Sequence, residues 1–166
     1  MIVALVFATL ASAALPPHEP RLALTPVILQ NAVYYTSDRV TAGGAGGGLG
    51  LEFAWDRRYL AQADVTMLLT FGNAVASRVA FGAQGSGRWA PAAWGTFNAL
   101  FGDRIEFLTG DGQRPKIPSW AVGVRGSALR FRSEYGFVSI AEAGVGTDFS
   151  GGLWLELTIL EAGARF

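Results

Sequence analysis

Apolar and polar side chains alternate with a period of two residues along most of the chain after Pro20. Over residues 59–72 one face of this alternation is apolar, and it consists of Tyr59, Ala61, Ala63, Val65, Met67, Leu69 and Phe71. The opposite face carries Gln62, Asp64 and Thr66. Because successive side chains of a β-strand point to opposite faces, this period predicts strands, and no segment of comparable length shows helical spacing.

Turn-forming residues divide the alternating segments into about eight strands of about 10 residues or more. The predicted strands cover residues 21–35, 45–56, 58–72, 74–86, 92–108, 119–131, 134–147 and 152–166. Short turns at one end of the strands alternate with longer loops at the other, which predicts an up-and-down antiparallel barrel. The glycine-rich segment at 43–50 is predicted to be a mobile loop and not a phosphate cradle, since the Lys-Ser/Thr of a phosphate-binding loop does not follow the glycines and no helix begins there.

The composition is poor in the groups that normally cover a water-facing surface. Charged residues make up 16% of the chain, whereas ordinary soluble domains have roughly 25%. There are 13 basic and 13 acidic residues, so net charge gives no reason to expect a nucleic-acid partner. Cysteine is absent, which excludes disulfides, thiolate metal sites and cysteine nucleophiles.

The first residues have the pattern of an export signal. An apolar run from Ile2 to Leu10 precedes Ala11-Ser12-Ala13, which fits the small-x-small cleavage pattern. The alternative is a membrane anchor, but the apolar run is short for a span of about 20 residues. We therefore expect a cleaved signal peptide at 1–13, a flexible leader at 14–20 and the β-barrel at 21–166.

Alternation alone does not say which face of the sheet points outwards. A soluble lipocalin-like barrel buries its apolar face around a ligand, whereas a membrane barrel turns that face toward lipid. The predicted polar faces hold few charges, and these have both signs, which suits an ion-paired, side-chain-filled lumen. This predicts a lumen network of Glu52, Asp64, Arg78, Arg104, Glu106, Arg125, Glu142 and Glu156. The predicted lipid-facing residues include Val65, Met67, Leu69, Phe71, Phe97, Phe101 and Phe166.

Trp and Tyr residues lie mostly near the ends of the predicted strands. They are Tyr34, Tyr35, Trp55, Tyr59, Trp89, Trp94, Trp120, Tyr135 and Trp154. These side chains favour the interface between membrane and water, because an apolar ring carries a polar N–H or O–H group. Their positions favour the membrane orientation of the barrel.

The export signal, the alternating strands and the terminal Phe166 together resemble the small bacterial outer-membrane β-barrel proteins of the eight-stranded class. In that class the last strand typically ends in Phe with apolar residues at alternate positions, a pattern matched here by Leu160, Ala162 and Ala164. Leu153, Leu155, Leu157 and Ile159 have the other parity, so we expect a bulge near Ile159–Leu160. The resemblance implies a bacterial outer-membrane location and recognition by the barrel-assembly machinery.

Candidate chemistry is sparse. The strands contain no histidine, so Ser77, Ser127 and Ser139 lack a base, and the sole histidine, His18, lies in the leader. A carboxylate pair of Glu106 with Asp64 or Glu52 is a further acid/base candidate, but ion pairing with arginines is the simpler interpretation. We predict no catalytic residue, cofactor or metal site.

The sequence therefore predicts a non-catalytic barrel with a structural, adhesive or partner-docking role. Expected partners are outer-membrane lipids including lipopolysaccharide, which Arg114 and Lys116 are candidates to contact, and a protein bound through the loops. Two alternatives remain at this point: a secreted lipocalin-like barrel that binds an apolar ligand, and an outer-membrane lipid-modifying enzyme.

Overall fold

The computed structural model describes residues 22–38, 41–70, 74–102 and 119–165 of the chain. The strands are β1 (Leu22–Thr36), β2 (Thr41–Trp55), β3 (Tyr59–Leu68), β4 (Ala74–Gln84), β5 (Ala92–Gly102), β6 (Ser119–Ser127), β7 (Leu129–Ser133), β8 (Gly136–Thr147) and β9 (Leu153–Ala164). No helix in this part of the chain is long and apolar enough to cross a membrane.

The strands close into an antiparallel barrel. Strands β1 to β6 pair in chain order, β8 pairs with β9, and β9 pairs with β1. Both β6 and β7 pair with β8, so together they occupy one strand position, and the barrel has eight positions. This confirms the predicted all-β, up-and-down fold. A closed sheet leaves no unpaired edge, which a barrel in hydrocarbon requires.

The predicted strand at 119–131 is interrupted in the structure. Strand β6 ends at Ser127 and β7 begins at Leu129, with Ala128 between them. Beside β7, the N–H of Ala90 donates to the carbonyl of Arg130, and the N–H of Arg132 donates to the carbonyl of Arg88. The connection between β4 and β5 therefore covers the edge of β7 that does not face β8.

The prediction of a mobile loop at 43–50 was wrong, because these glycines belong to β2. These glycines occur within a strand for a steric reason, because they let β2 lie closer to its neighbouring strands than a Cβ atom would allow. A Cβ on Gly46 would lie 1.7 Å from the carbonyl oxygen of Met67, and one on Gly43 would lie 2.1 Å from that of Val33. Gly43 also has a φ of 146°, which side chains rarely adopt.

The predicted bulge near Ile159–Leu160 is confirmed. In the pairing of β1 with β9, Gln30 lies opposite Leu160 and Asn31 lies opposite Thr158, so Ile159 has no partner. Before the bulge Trp154, Glu156 and Thr158 are buried, and after it Glu161 is buried. The extra residue therefore reverses which parity of β9 points into the barrel.

The barrel is apolar outside and polar at mid-height inside. The outer wall exposes Val65 by 50%, Met67 by 60%, Leu69 by 65%, Phe97 by 51% and Phe101 by 46%. We call the end of the barrel near Thr36, Leu68 and Thr147 the loop end, and the end near Trp55 and Ser133 the turn end. Inside, an apolar layer at the loop end contains Val33, Tyr35, Leu68, Leu100 and Trp154.

Candidate functional site: the ionic interior of the barrel

Charged side chains from most of the strands converge inside the barrel at mid-height. Of the predicted lumen residues, those in the described ranges are all buried, namely Glu52, Asp64, Arg78, Arg125, Glu142 and Glu156. The alternation of each strand delivers them, since their neighbours along the chain point outwards. The other two predicted members, Arg104 and Glu106, lie outside the described residues.

Arg78 on β4 joins carboxylates from two sides of the barrel. Its Nη2 lies 2.7 Å from Oδ2 of Asp64, and its Nε donates to the same oxygen at 2.9 Å. Its Nη1 pairs with Glu156 on β9. Arg78 therefore connects adjacent strands β3 and β4 to the distant strand β9.

Glu161 lies at the centre of the network, although the sequence analysis did not include it. Its side chain is fully buried, 3.3 Å from Nη1 of Arg125 and 3.6 Å from Nη1 of Arg130. It also accepts a hydrogen bond of 3.1 Å from Nε2 of Gln62 and lies 3.7 Å from Arg78. The signal was present in the predicted bulge, because a bulge at Ile159 turns Glu161 inwards.

Arg130 is a second interior charge that the sequence analysis missed. Its Nη2 donates to both carboxylate oxygens of Glu52 at 2.7 Å. Its guanidinium carbon lies 3.6 Å from the centre of the Phe137 ring, while that of Arg125 lies 4.2 Å from the centre of the Trp94 ring. The break at Ala128 reverses the strand parity, which carries Arg130 into the barrel.

Three of the predicted interfacial aromatics lie inside the barrel instead. Tyr35, Trp94 and Trp154 are buried, so the prediction that they sit at the membrane interface was wrong. The strand parity decides their direction, because each shares the inward face with buried neighbours two residues away. The remaining predicted aromatics are exposed near the strand ends, namely Tyr34, Trp55, Tyr59, Trp89, Trp120 and Tyr135.

The remaining sequence predictions concern residues of the outer wall, the loops and the leader. The predicted lipid-facing residues of the described ranges lie on the outer wall, as given above. Phe71, Phe166, Arg114, Lys116 and His18 lie outside the described residues. Their roles stay predictions.

Within the described residues, the interior has no accessible site where a substrate could reach the carboxylates. Glu52 and Asp64 are buried against Arg130 and Arg78, respectively. The hydroxyl groups of Ser127 and Ser139 contact each other on the inward faces of β6 and β8. The arrangement is suited to holding the strands together through ion pairs.

Solved structures of other proteins resemble this barrel. The chain matches Ail, the attachment invasion locus protein of Yersinia pestis, with a TM-score of 0.57 at 11% identity, covering 89% of this chain and 100% of Ail. It matches Neisserial surface protein A with a TM-score of 0.53 at 11% identity, covering 89% of this chain and 98% of that protein. Both are small eight-stranded outer-membrane β-barrels.

This chain has their fold. No protein-family model matches it, and no curated protein sequence is detectably similar. A structure of Ail in complex with the heparin analogue sucrose octasulfate also matches, with a TM-score of 0.51 at 10% identity and the same 89% of this chain covered. At these identities the likeness concerns the fold.

Asp148 closes the connection between β8 and β9 at the loop end. Its Oδ2 accepts a hydrogen bond of 2.7 Å from the Tyr35 hydroxyl, and its Oδ1 accepts the N–H groups of Ser150 and Gly152 at 2.8 and 2.7 Å. The Tyr35 hydroxyl, followed by the backbone of Ser150, holds the pKa of Asp148 well below its ordinary value of 3.8. The carboxylate thus fixes the loop that carries the exposed Phe149.

This geometry predicts that the 148–152 loop is ordered at neutral pH and loosens in acid. A depressed pKa means that the contribution of Asp148 is complete above pH 3.8 and is lost as the pH falls through the lower pKa of the folded state. Asp148→Asn should loosen the loop at neutral pH as well, because an amide is a weaker acceptor than a carboxylate. Limited proteolysis of this loop measures both effects. Equal cleavage of the variant and the wild-type protein at pH 7 would contradict the assignment.

Proposed function

We propose that this chain is a non-catalytic outer-membrane β-barrel protein whose closed interior serves stability and whose loop end serves adhesion or partner docking. The observation that carries the proposal is the polarity of the barrel, with charges buried among themselves and large apolar side chains on the outer wall. A soluble ligand-binding barrel has the reverse arrangement. The fold shared with Ail and Neisserial surface protein A supports the same placement.

A closed lumen belongs to this proposal. The apolar layer at the loop end includes Leu68, Leu100 and Trp154, which have almost no exposed surface. Below it, Arg78, Arg125 and Arg130 are held by carboxylates on several strands. An eight-stranded barrel has an interior just wide enough for side chains to fill. Water and ions therefore have no continuous path along the barrel axis.

The loops, and not the barrel interior, are the surface we assign to partners. In the sequence the segments between strands at the loop end, apart from the predicted lumen residues, carry nearly balanced charges, namely Asp38, Arg39, Asp103, Asp111, Arg114, Lys116 and Asp148. A strongly anionic partner such as the heparin analogue bound by Ail finds no excess of positive charge here. Lipopolysaccharide remains a proposed neighbour through Arg114 and Lys116. The barrel-assembly machinery remains a proposed partner that recognises the last strand and its terminal Phe166, and residues 1–13 remain the proposed export signal.

Fractionation and planar-bilayer recording test this proposal together. The exported protein should partition into detergent, migrate differently on gels before and after heating, and give no ionic current in a planar bilayer. The bilayer result follows from the apolar layer and the filled interior. Partition into the aqueous phase without detergent would overturn the membrane placement, and stable current steps would overturn the closed lumen.

A further inference from the structure

Gln30 carries the one amide among the outward strand positions of the described residues, on a wall that is mostly apolar. It lies near the middle of β1, points outwards between Ile28 and Ala32, and is exposed. Gln30 pairs with Gly47 on β2 and with Leu160 on β9, and both of these residues also lie on the outward face. Within the described part of the chain its amide makes no hydrogen bond with another side chain.

An unpaired amide at this height is costly if the outer wall faces lipid. Transfer of an amide into an apolar medium without a hydrogen-bond partner costs roughly 2–7 kcal/mol. The side chain of glutamine is too short to reach the polar headgroups from the middle of a strand. Gln30 therefore requires a polar partner that comes from outside this copy of the chain.

The wall around Gln30 has a shape that allows another barrel to approach. Gly47 beside Gln30, and Ala32 and Ala45 on its loop-end side, form a flat area, because all three have small side chains or none. On the turn-end side, a groove of about 640 Å³ crosses β8, β9, β1 and β2, lined by Ile28, Leu49, Val138, Ala162 and Ala164 among others. The opposite wall instead carries Phe97 and Phe101.

We propose that the protein self-associates in the membrane through this wall, with β1 of one copy against β1 of a second copy. A two-fold axis along the membrane normal keeps both copies at one height, so Gln30 of one copy meets Gln30 of the other. The amide group both donates and accepts hydrogen bonds, so the two side chains satisfy each other. Close approach of small residues together with a polar contact drives the association of transmembrane helices, and the same physical terms apply between two barrel walls. The inference rests on the proposed membrane placement.

Single cysteines test the interface directly, because the natural chain contains none. Ala32→Cys, at the next outward position of β1, keeps Gln30 and should form a covalent dimer when the folded protein in liposomes is oxidised. Phe97→Cys is the matched control, since Phe97 lies at similar height on the outer face of β5, on the opposite side of the barrel. Cross-linking at position 32 and not at position 97 is the expected result.

A second variant measures the amide itself. Gln30→Leu keeps the size of the side chain and removes its hydrogen bonds, and should weaken dimerisation by about 3- to 20-fold in a fluorescence energy-transfer assay in liposomes. Gln30→Asn, which keeps the amide, should dimerise more strongly than Gln30→Leu. Unchanged dimerisation of Gln30→Leu would overturn the role of the amide.

The outcomes separate this inference from the proposed function. Heat-modifiable migration and resistance to carbonate extraction report whether each variant is folded in the membrane. A folded, membrane-embedded barrel that cross-links at neither position, or equally at both, overturns the interface and leaves lipid as the occupant of the groove. A protein extracted by carbonate overturns the membrane placement instead.

Discussion

Glu161→Gln is expected to lower the free energy of unfolding of the barrel by about 3–5 kcal/mol. The substitution preserves the shape of the side chain and removes its charge. It leaves Arg78, Arg125 and Arg130, all buried within 3.7 Å of this carboxylate, short of their common partner. Urea unfolding in lipid vesicles, followed by gel migration without heating, measures the change.

The matched control is Glu134→Gln in the turn between β7 and β8. Glu134 is exposed, so its substitution should change the free energy of unfolding by no more than about 0.5 kcal/mol. If the two variants unfold at the same urea concentration, Glu161 does not hold the arginines in the way its position indicates. Unfolding of Glu161→Gln at the wild-type concentration would lead to the same conclusion.

Val65→Arg is expected to destabilise the folded barrel in lipid by about 2–4 kcal/mol. Val65 lies near the middle of β3 and is half exposed on the outer wall. If that wall faces lipid, the arginine places a charge near the centre of the bilayer. Folding yield into vesicles and unfolding in urea both report the loss.

Tyr59→Arg is the depth control for this prediction. Tyr59 begins β3 at the turn end, and a charge near the membrane surface costs only about 0–1 kcal/mol. A soluble barrel would expose both positions to water and would tolerate both substitutions. Equal behaviour of the two variants would therefore contradict the lipid environment of the outer wall.

The two-residue alternation of apolar and polar side chains was sufficient to predict the fold class and the bulge. It also identified the lumen residues that lie in the described ranges. The period requires only that adjacent residues of a strand face opposite ways, which holds wherever pairing is regular. It failed where an irregularity reversed the parity. Arg130 follows the break at Ala128, and Glu161 follows the bulge at Ile159, so neither entered the predicted network.

Two other predictions were wrong because residue type was given more weight than the alternation along the strand. The glycines of β2 were assigned to a mobile loop by residue type, whereas Gly46 is needed for the close approach of β3. Trp94 and Trp154 were placed at the membrane interface by residue type, although each lies two residues from a buried polar neighbour, Thr96 and Glu156. For the glycines, the close approach of the neighbouring strands determines the outcome, and a single sequence does not give it. For the two tryptophans, the strand parity determines the outcome.

The ionic interior has a consequence for how the chain reaches its final state. Glu52, Asp64, Arg78, Arg125, Arg130, Glu142, Glu156 and Glu161 come from strands all around the barrel, and Gln62 on β3 reaches Glu161 on β9. A hairpin inserted alone would leave its charge facing acyl chains without a counter-ion, which is energetically prohibitive. Membrane insertion and ring closure should therefore be concerted, with no stable half-built species between them.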